Sequence, residues 1–445
     1  MSRYLYKGLL FIFLGIRILI ENCYRECWTV KSILFINLRD SYAERLEPIY
    51  TAKKLGLNVI LLADSDPNLD NGLIDELIIA DTYDIKGTTE LLKRNYKDRD
   101  ISGVVTWGDK DVELVASIGE ALNLKTISKQ AAKVARNKYL MRLELNKVEG
   151  LSPKFCSIES FEDLNVAVKQ MKFPAILKPV GASGSKSIYK INSIDEISEV
   201  YKLMLETTSP KKDKVYTYYP GQYILEEYLD GPEVSIEGVV QDGEVLIAGV
   251  TDKFVTEKYS LEYMEIFPSD KGKEIVLEIK EKVEKAIIAL GYDNCAFHLE
   301  GRVTKDGFKV IEAAARAAGG FITSHVLKYA SGYSFHEQVI KVAMGIDVQK
   351  NWPVFDSNAE KKIAHFDFLA KNAGEIKQIR GLSESMEIEG VKLLMPLKTI
   401  GDTVVLPPEN FGSCYLATTI LEGNSVKVIK DNIEKMKTKL EYVIK

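Results

Sequence analysis

The sequence predicts an α/β chain that opens with a doubly wound parallel sheet and continues as a mixed α+β region. Three observations carry this reading. From Ser32 onward short apolar strands alternate with helical stretches, the pattern that produces parallel βαβ units. Further on, alternating runs at 297–303 and 308–312 flank the turn Lys305-Asp306-Gly307, which reads as a hairpin. At 445 residues, 46% hydrophobic and 28% charged, the chain is long enough for two or three globular domains.

Taken in order, residues 1–30 stand apart. Residues 8–20 are apolar with basic flanks, but Arg17 interrupts them and they are too short for a comfortable bilayer crossing. Asn22-Cys23-Tyr24-Arg25 supplies no convincing small-residue cleavage site. The expectation is a dispensable extension, with an over-extended start (Val30 as initiator) or a weak membrane anchor as competing readings. Strand 32–37, helix 43–55, strand 58–62, strand 103–106 and a helix over about 109–122 then form an N-terminal domain at 31–125. Where a dinucleotide fold would carry G-x-G-x-x-G after its first strand, this chain has Asn37-Leu38-Arg39-Asp40, so a dinucleotide cofactor is disfavoured.

A second domain is expected at 126–350. It begins with helix-rich residues 128–148 and a linker at Ser152-Pro153, and its central lobe covers about 150–235. The amphipathic stretch 273–290 reads as a helix packed on the sheet. Residues 351–445 form a final lobe of short strands at 363–369, 374–376 and 401–408, closed by a helix at 426–442. The net charge of -5 gives no footprint for nucleic acid. Five scattered cysteines, an odd number, suit reduced thiols in a cytoplasm, and Cys23 and Cys27 lack the second pair a zinc site needs.

Three elements carry chemistry. The first is strand 173–179, containing Lys178, which leads into Val180-Gly181-Ala182-Ser183-Gly184-Ser185-Lys186-Ser187-Ile188. Small residues let backbone N–H groups wrap an anion, and Lys178 adds a point charge. The loop is no Walker motif, because Gly does not directly precede Lys186 and a strand rather than a helix follows. The second is Glu226-Glu227-Tyr228-Leu229-Asp230-Gly231-Pro232-Glu233, where an apolar strand ends in acids, turns, and reopens on an acid. The third is the hairpin, with Glu300 and Glu312 on facing strands and Arg316 four residues further. Two carboxylates on a rigid hairpin suit a Mg²⁺ bound to phosphates, and an arginine can pair with a phosphoryl group. His298, two residues before Glu300, and Arg302, two after, alternate onto the same face. His298 is a candidate to position an amine or accept a proton, and Arg302 to neutralise Glu300. His325 and His336 read as structural.

In this order the three elements resemble the ATP-grasp superfamily, over roughly Lys31 to the C-terminus. The resemblance implies a two-lobed ATP-grasp fold behind the N-terminal domain, with ATP and Mg²⁺ (or Mn²⁺) as cofactors. Carried onto matching positions, it implies Glu226, Glu227 and Leu229 around adenine and Glu233 on ribose. It also implies Lys138 and Lys178 on the phosphates, Ser183, Gly184, Ser185 and Lys186 in a phosphate-covering flap, and Glu300 and Glu312 on the metal. Where most members have E-x-N-x-R, this chain has Glu312-Ala313-Ala314-Ala315-Arg316, and Ala314 cannot ligate a metal. That form is similar to the E-x-A-x-R version of the L-amino acid ligases and their carboxylase-like relatives. The implied activity is ADP-forming ligation of a carboxylate to an amine, with Arg316, Lys178 and His298 catalytic. Small-molecule acid and amine substrates are the expected partners, and a homodimer is the prior assembly. A purine-pathway or carboxylase-type enzyme, a non-catalytic nucleotide-binding protein and a membrane-tethered interaction protein are the competing readings.

Overall fold

Residues 32–36 form a nearly continuous apolar run because parallel strands are covered on both faces. In the computed structural model, which describes residues 31–445 apart from 40, 71, 98, 185 and 357–359, this strand is β1 (Ser32–Ile36). It pairs in parallel with β2 (Asn58–Ala63) and β4 (Ile101–Thr106), and β3 (Glu76–Ile79) joins outside β2. The expectations for residues 1–30, with Cys23 and Cys27, lie outside the described residues, as does Ser185.

The next sheet is antiparallel, in the order β5 (Phe155–Ile158), β8 (Tyr223–Glu227), β6 (Ala175–Pro179), β7 (Tyr189–Ile191). Before it, Asn137 ends one helix and opens another, accepting hydrogen bonds from the N–H groups of Tyr139 and Leu140. Lys138 therefore sits at the first position of the second helix.

Eight strands make the large sheet: β9 (Glu233–Gln241), β10 (Glu244–Val255), β11 (Glu262–Phe267), β12 (Cys295–Thr304), β13 (Gly307–Ala314), β14 (Lys362–Leu369), β16 (Val391–Pro396) and β18 (Tyr415–Gly423). Their order is β13-β12-β9-β10-β11-β14-β18-β16, so strands from the 351–445 segment extend the sheet that carries the hairpin. β15 (Gly374–Arg380), β17 (Thr403–Val404) and β19 (Glu441–Ile444) form a small separate sheet. The closing helix runs Val426–Lys439, shorter than expected, because the last residues pair with β15 instead.

One face of the large sheet shares a core with the N-terminal domain, through Phe35, Val105, Phe267, Phe335 and Ile340. The other face is covered by helices Lys129–Arg136, Lys138–Leu145 and Lys273–Ala289. The cavity lies where the four-stranded antiparallel sheet, the large sheet and the N-terminal domain meet. Among the described residues no helix is long and apolar enough to cross a membrane, and Cys156, Cys295 and Cys414 are free thiols.

Candidate active site

The hairpin of β12 and β13 places Glu300 directly across from Glu312, with a register shift between Glu300 and Gly301. Glu300 Oε1 accepts from Lys253 Nζ at 2.5 Å and lies 3.0 Å from His298 Nε2. His298 Nδ1 lies 2.9 Å from Glu237. Burial opposes charge on this imidazole, but the two carboxylates outweigh it and raise its pKa from 6.5 to about 9. Burial likewise opposes charge on Glu300, yet Lys253 and His298 hold its pKa well below the usual carboxylate range. Glu312 Oε1 accepts from Lys138 Nζ at 2.9 Å.

Arg302 does not neutralise Glu300. Beyond the irregularity after Glu300 it turns to Glu233, with Nη2 3.0 Å from Oε2, and its Nη1 donates to the Leu229 carbonyl at 2.9 Å. Lys253 on β10 supplies the cation for Glu300, and it also donates to Glu262 at 2.8 Å. His336 pairs with Glu47 in the core, a structural placement as expected.

Lys178 on β6 and Glu226 on β8 form an ion pair of 2.7 Å, and Arg142 Nε reaches the other Glu226 oxygen at 2.7 Å. All three side chains are buried, and burial lowers the Lys178 pKa. Arg142 Nη2 also donates to the Ile311 carbonyl at 2.5 Å, tying the helix to the hairpin. Glu227 is partly exposed, with Lys309 at 3.6 Å.

These groups surround one cavity of about 260 Å³. Its wall includes Lys178, Ser183, Gly184, Glu226, Glu227, Leu229, Glu233, His298, Glu300, Glu312 and Arg316 among the expected site residues. Two expected residues are placed differently. Lys186 pairs with Asp213 at 2.5 Å outside this wall, and Lys138 reaches in only through Glu312 while also donating to the Ala182 carbonyl. Arg136 donates to the Gly181 carbonyl at 2.9 Å, so the glycine-rich loop is anchored at its base by the helices below it.

Arg316 is held by Asp109 of the N-terminal domain, with Nη2 2.7 Å from Oδ2. Burial disfavours the Asp109 carboxylate, but Arg316 and then Arg136 lower its pKa to about 2. Sequence reasoning missed Asp109, Glu237, Lys253, Glu262 and Arg39, all of which contact or line the site. One signal pointed that way: Arg39 and Asp109 each lie just beyond the end of a parallel strand, where such sheets place ligand contacts.

Comparison with known proteins identifies the family and the fold. Residues 171–325 match the ATP-grasp domain and residues 49–126 the ATP-grasp N-terminal domain. The chain is 30% identical over 231 residues to alanine–anticapsin ligase of Bacillus subtilis (strain 168), covering 48% of each chain. It therefore spans about half the length of that relative. It is 22% identical over 388 residues to the L-arginine-specific L-amino acid ligase of Bacillus subtilis, covering 84% of this chain and 88% of the relative. Among solved structures, an L-amino acid ligase from Bacillus licheniformis superposes with a TM-score of 0.79 at 20% identity, over 93% of this chain and 99% of that one.

Proposed function

We propose that this chain, a protein of the ATP-grasp superfamily, is an ATP-dependent ligase that joins an amino acid or similar carboxylate to an amine. The observation that carries the reading is the facing pair Glu300 and Glu312 on the wall of a cavity that also presents Lys178, Glu226, Glu233 and Arg316.

The carboxylate pair fits a divalent cation. In each residue Oε1 takes the lysine contact, and no described residue hydrogen-bonds Oε2 of either. One oxygen of each is thus left for Mg²⁺ or Mn²⁺, and phosphate and water fill the remaining positions, as magnesium prefers. Ala314 adds no third protein ligand, and among the described residues no group of three or more His, Cys, Asp or Glu side chains is arranged to hold a metal. When bound, the ion neutralises phosphate charge.

In the proposed reaction a substrate carboxylate oxygen attacks the γ-phosphorus of ATP. The new O–P bond forms as the bond to the β,γ-bridging oxygen breaks, giving an acyl phosphate and ADP. Lys178 and Arg316 offset the charge that spreads over the transferring group. The amine nitrogen then attacks the acyl carbon, the C–O bond to phosphate breaks, and the nitrogen loses a proton. Arg316 and the Gly319-Gly320 backbone are the assigned partners of the oxyanion. His298 is assigned to the Glu300 side of the site, where it holds that carboxylate in place rather than acting as a free base, because both of its ring nitrogens are engaged. Glu226, Glu227 and Leu229 are assigned to adenine, Glu233 to ribose, and Ser183 and Gly184, with Ser185, to the phosphate cover.

The test is ADP and phosphate release across a matrix of amino acids and amines, with bicarbonate and ribotides included. Release that depends on one acid–amine pair, lost in Glu312→Gln and Arg316→Ala, supports the reading. Release stimulated only by bicarbonate or a ribotide moves the chain to a carboxylase or purine-type reaction, and nucleotide binding without any stimulation leaves a non-catalytic protein.

A further inference from the structure

Arg39 follows β1 and crosses from the N-terminal domain into the wall of the cavity, beside Arg316, Gly319 and Gly320. Its Nη2 donates to the carbonyl oxygens of Ala317 at 2.8 Å and Ala318 at 2.7 Å. The Ala317 oxygen also accepts from Arg316 Nη1 at 3.0 Å, so two guanidinium groups meet on one carbonyl.

The two guanidinium groups are compensated differently. Arg316 has Asp109 as its carboxylate partner, whereas Arg39 forms no ion pair with a described residue. The nearby Glu44 uses its Oε1 to accept from the Phe321 N–H. Burial works against charge on Arg39, Glu44 and Asp109 offset part of this, and Arg316 adds repulsion. Arginine cannot relieve such a position by losing its proton at ordinary pH.

Close approach is built in on the other side. A Cβ at Gly319 would lie 2.6 Å from Arg39 Nη1, so the absence of a side chain at 319 is what lets the guanidinium lie along the strip that lines the cavity. Nη1 meets no acceptor among the described residues. A guanidinium on the wall of a cavity, held through Nη2 and with no carboxylate paired directly to it among the described residues, suits a carboxylate ligand.

We propose that Arg39 is a recognition residue for a carboxylate that the reaction does not consume. This rests on the ligase reading of the same cavity. The carboxylate belongs either to an amino acid that supplies the amine or to an acid substrate with a second carboxyl group, and the two sources are separable by experiment.

The experiment uses the full chain, with Arg39→Gln, Arg39→Lys and Gly319→Ala. Steady-state ADP release is measured with amino acids and with their carboxamides as the amine, and with mono- and dicarboxylic acids as the acid. The wild type is expected to favour the carboxylate-bearing member of one series. Arg39→Gln raises the KM of that substrate by roughly 10- to 100-fold, the loss of a charged hydrogen-bond pair. It leaves the KM for ATP in place and removes the preference over the neutral analogue. Arg39→Lys restores part of the preference, and Gly319→Ala weakens it by displacing the guanidinium. An unchanged preference in Arg39→Gln, with folding intact by melting temperature, overturns the proposal while leaving the ligase reading standing. If no acid–amine pair stimulates ADP release, the ligase reading falls, and the proposal is decided by melting-temperature shifts with the same compounds. A carboxylate-dependent shift lost in Arg39→Gln upholds it, and no such shift overturns it.

Discussion

Lys253 is buried against Glu300 at 2.5 Å, Glu262 at 2.8 Å and Glu233 at 3.7 Å. Removing one partner of a buried ionic network leaves the others facing each other in a medium that solvates them poorly. Lys253→Met is therefore expected to destabilise the protein by about 3–5 kcal/mol, measured by chemical denaturation. A loss under about 1 kcal/mol would mean that water or a relaxed geometry already screens these carboxylates. At the same scale, Glu312→Gln is expected to lower substrate-dependent ADP release by roughly 100-fold or more, read as initial rates at saturating ATP. Part of this site was legible in the sequence: Glu300, Glu312 and Arg316 declare themselves by alternation and spacing. Lys253 and Glu237 do not, because each matters only through a partner far along the chain, Glu300 for Lys253 and His298 for Glu237.

The β12–β13 hairpin depends on backbone contacts that only glycine allows. A Cβ at Gly301 would meet the Phe308 ring at 2.3 Å and the Lys309 carbonyl at 2.6 Å, just where the register shifts. Gly301→Ala is expected to cost about 1–3 kcal/mol and to lower ADP release by displacing Glu300, which thermal unfolding and rate assays would show together. Retained rates alongside lost stability would place the carboxylates beyond reach of the irregularity. The hairpin and β1 were predictable because local periodicity and turn residues specify them. The final helix was not: helical periodicity continues past Lys439, but the pairing of β19 with β15 overrides it. Arg302 went astray for a similar reason, since strict alternation cannot anticipate the shift after Glu300.

Across the whole molecule, the N-terminal domain completes the site. Asp109 clamps Arg316, Arg39 reaches the Ala317 and Ala318 carbonyls, and Tyr218 and Tyr219 bind back to the Lys110 carbonyl and Glu113 at 3.1 Å each. Burial opposes the Asp109 charge, but Arg316 and Arg136 depress its pKa from 3.8 to about 2. A depressed carboxylate contributes stability that is present above its unfolded pKa and lost as pH falls through the folded one. The stability gap between wild type and Asp109→Asn is thus expected to shrink by about 2 kcal/mol as pH falls from about 4 to about 2. Denaturant titrations across that window check it, and a constant gap would mean Asp109 is not held by Arg316. Domain order was legible from the succession of motifs, whereas the contacts that close the cavity arise only when distant segments fold together. Carboxylate activation by phosphoryl transfer is the step on which the proposed ligase reaction turns. It is tested most directly by supplying an acid labelled with ¹⁸O in its carboxylate and following the label during turnover. One ¹⁸O is expected in the released phosphate for each amide formed, with ADP as the nucleotide product. Unlabelled phosphate, or AMP in place of ADP, would contradict it.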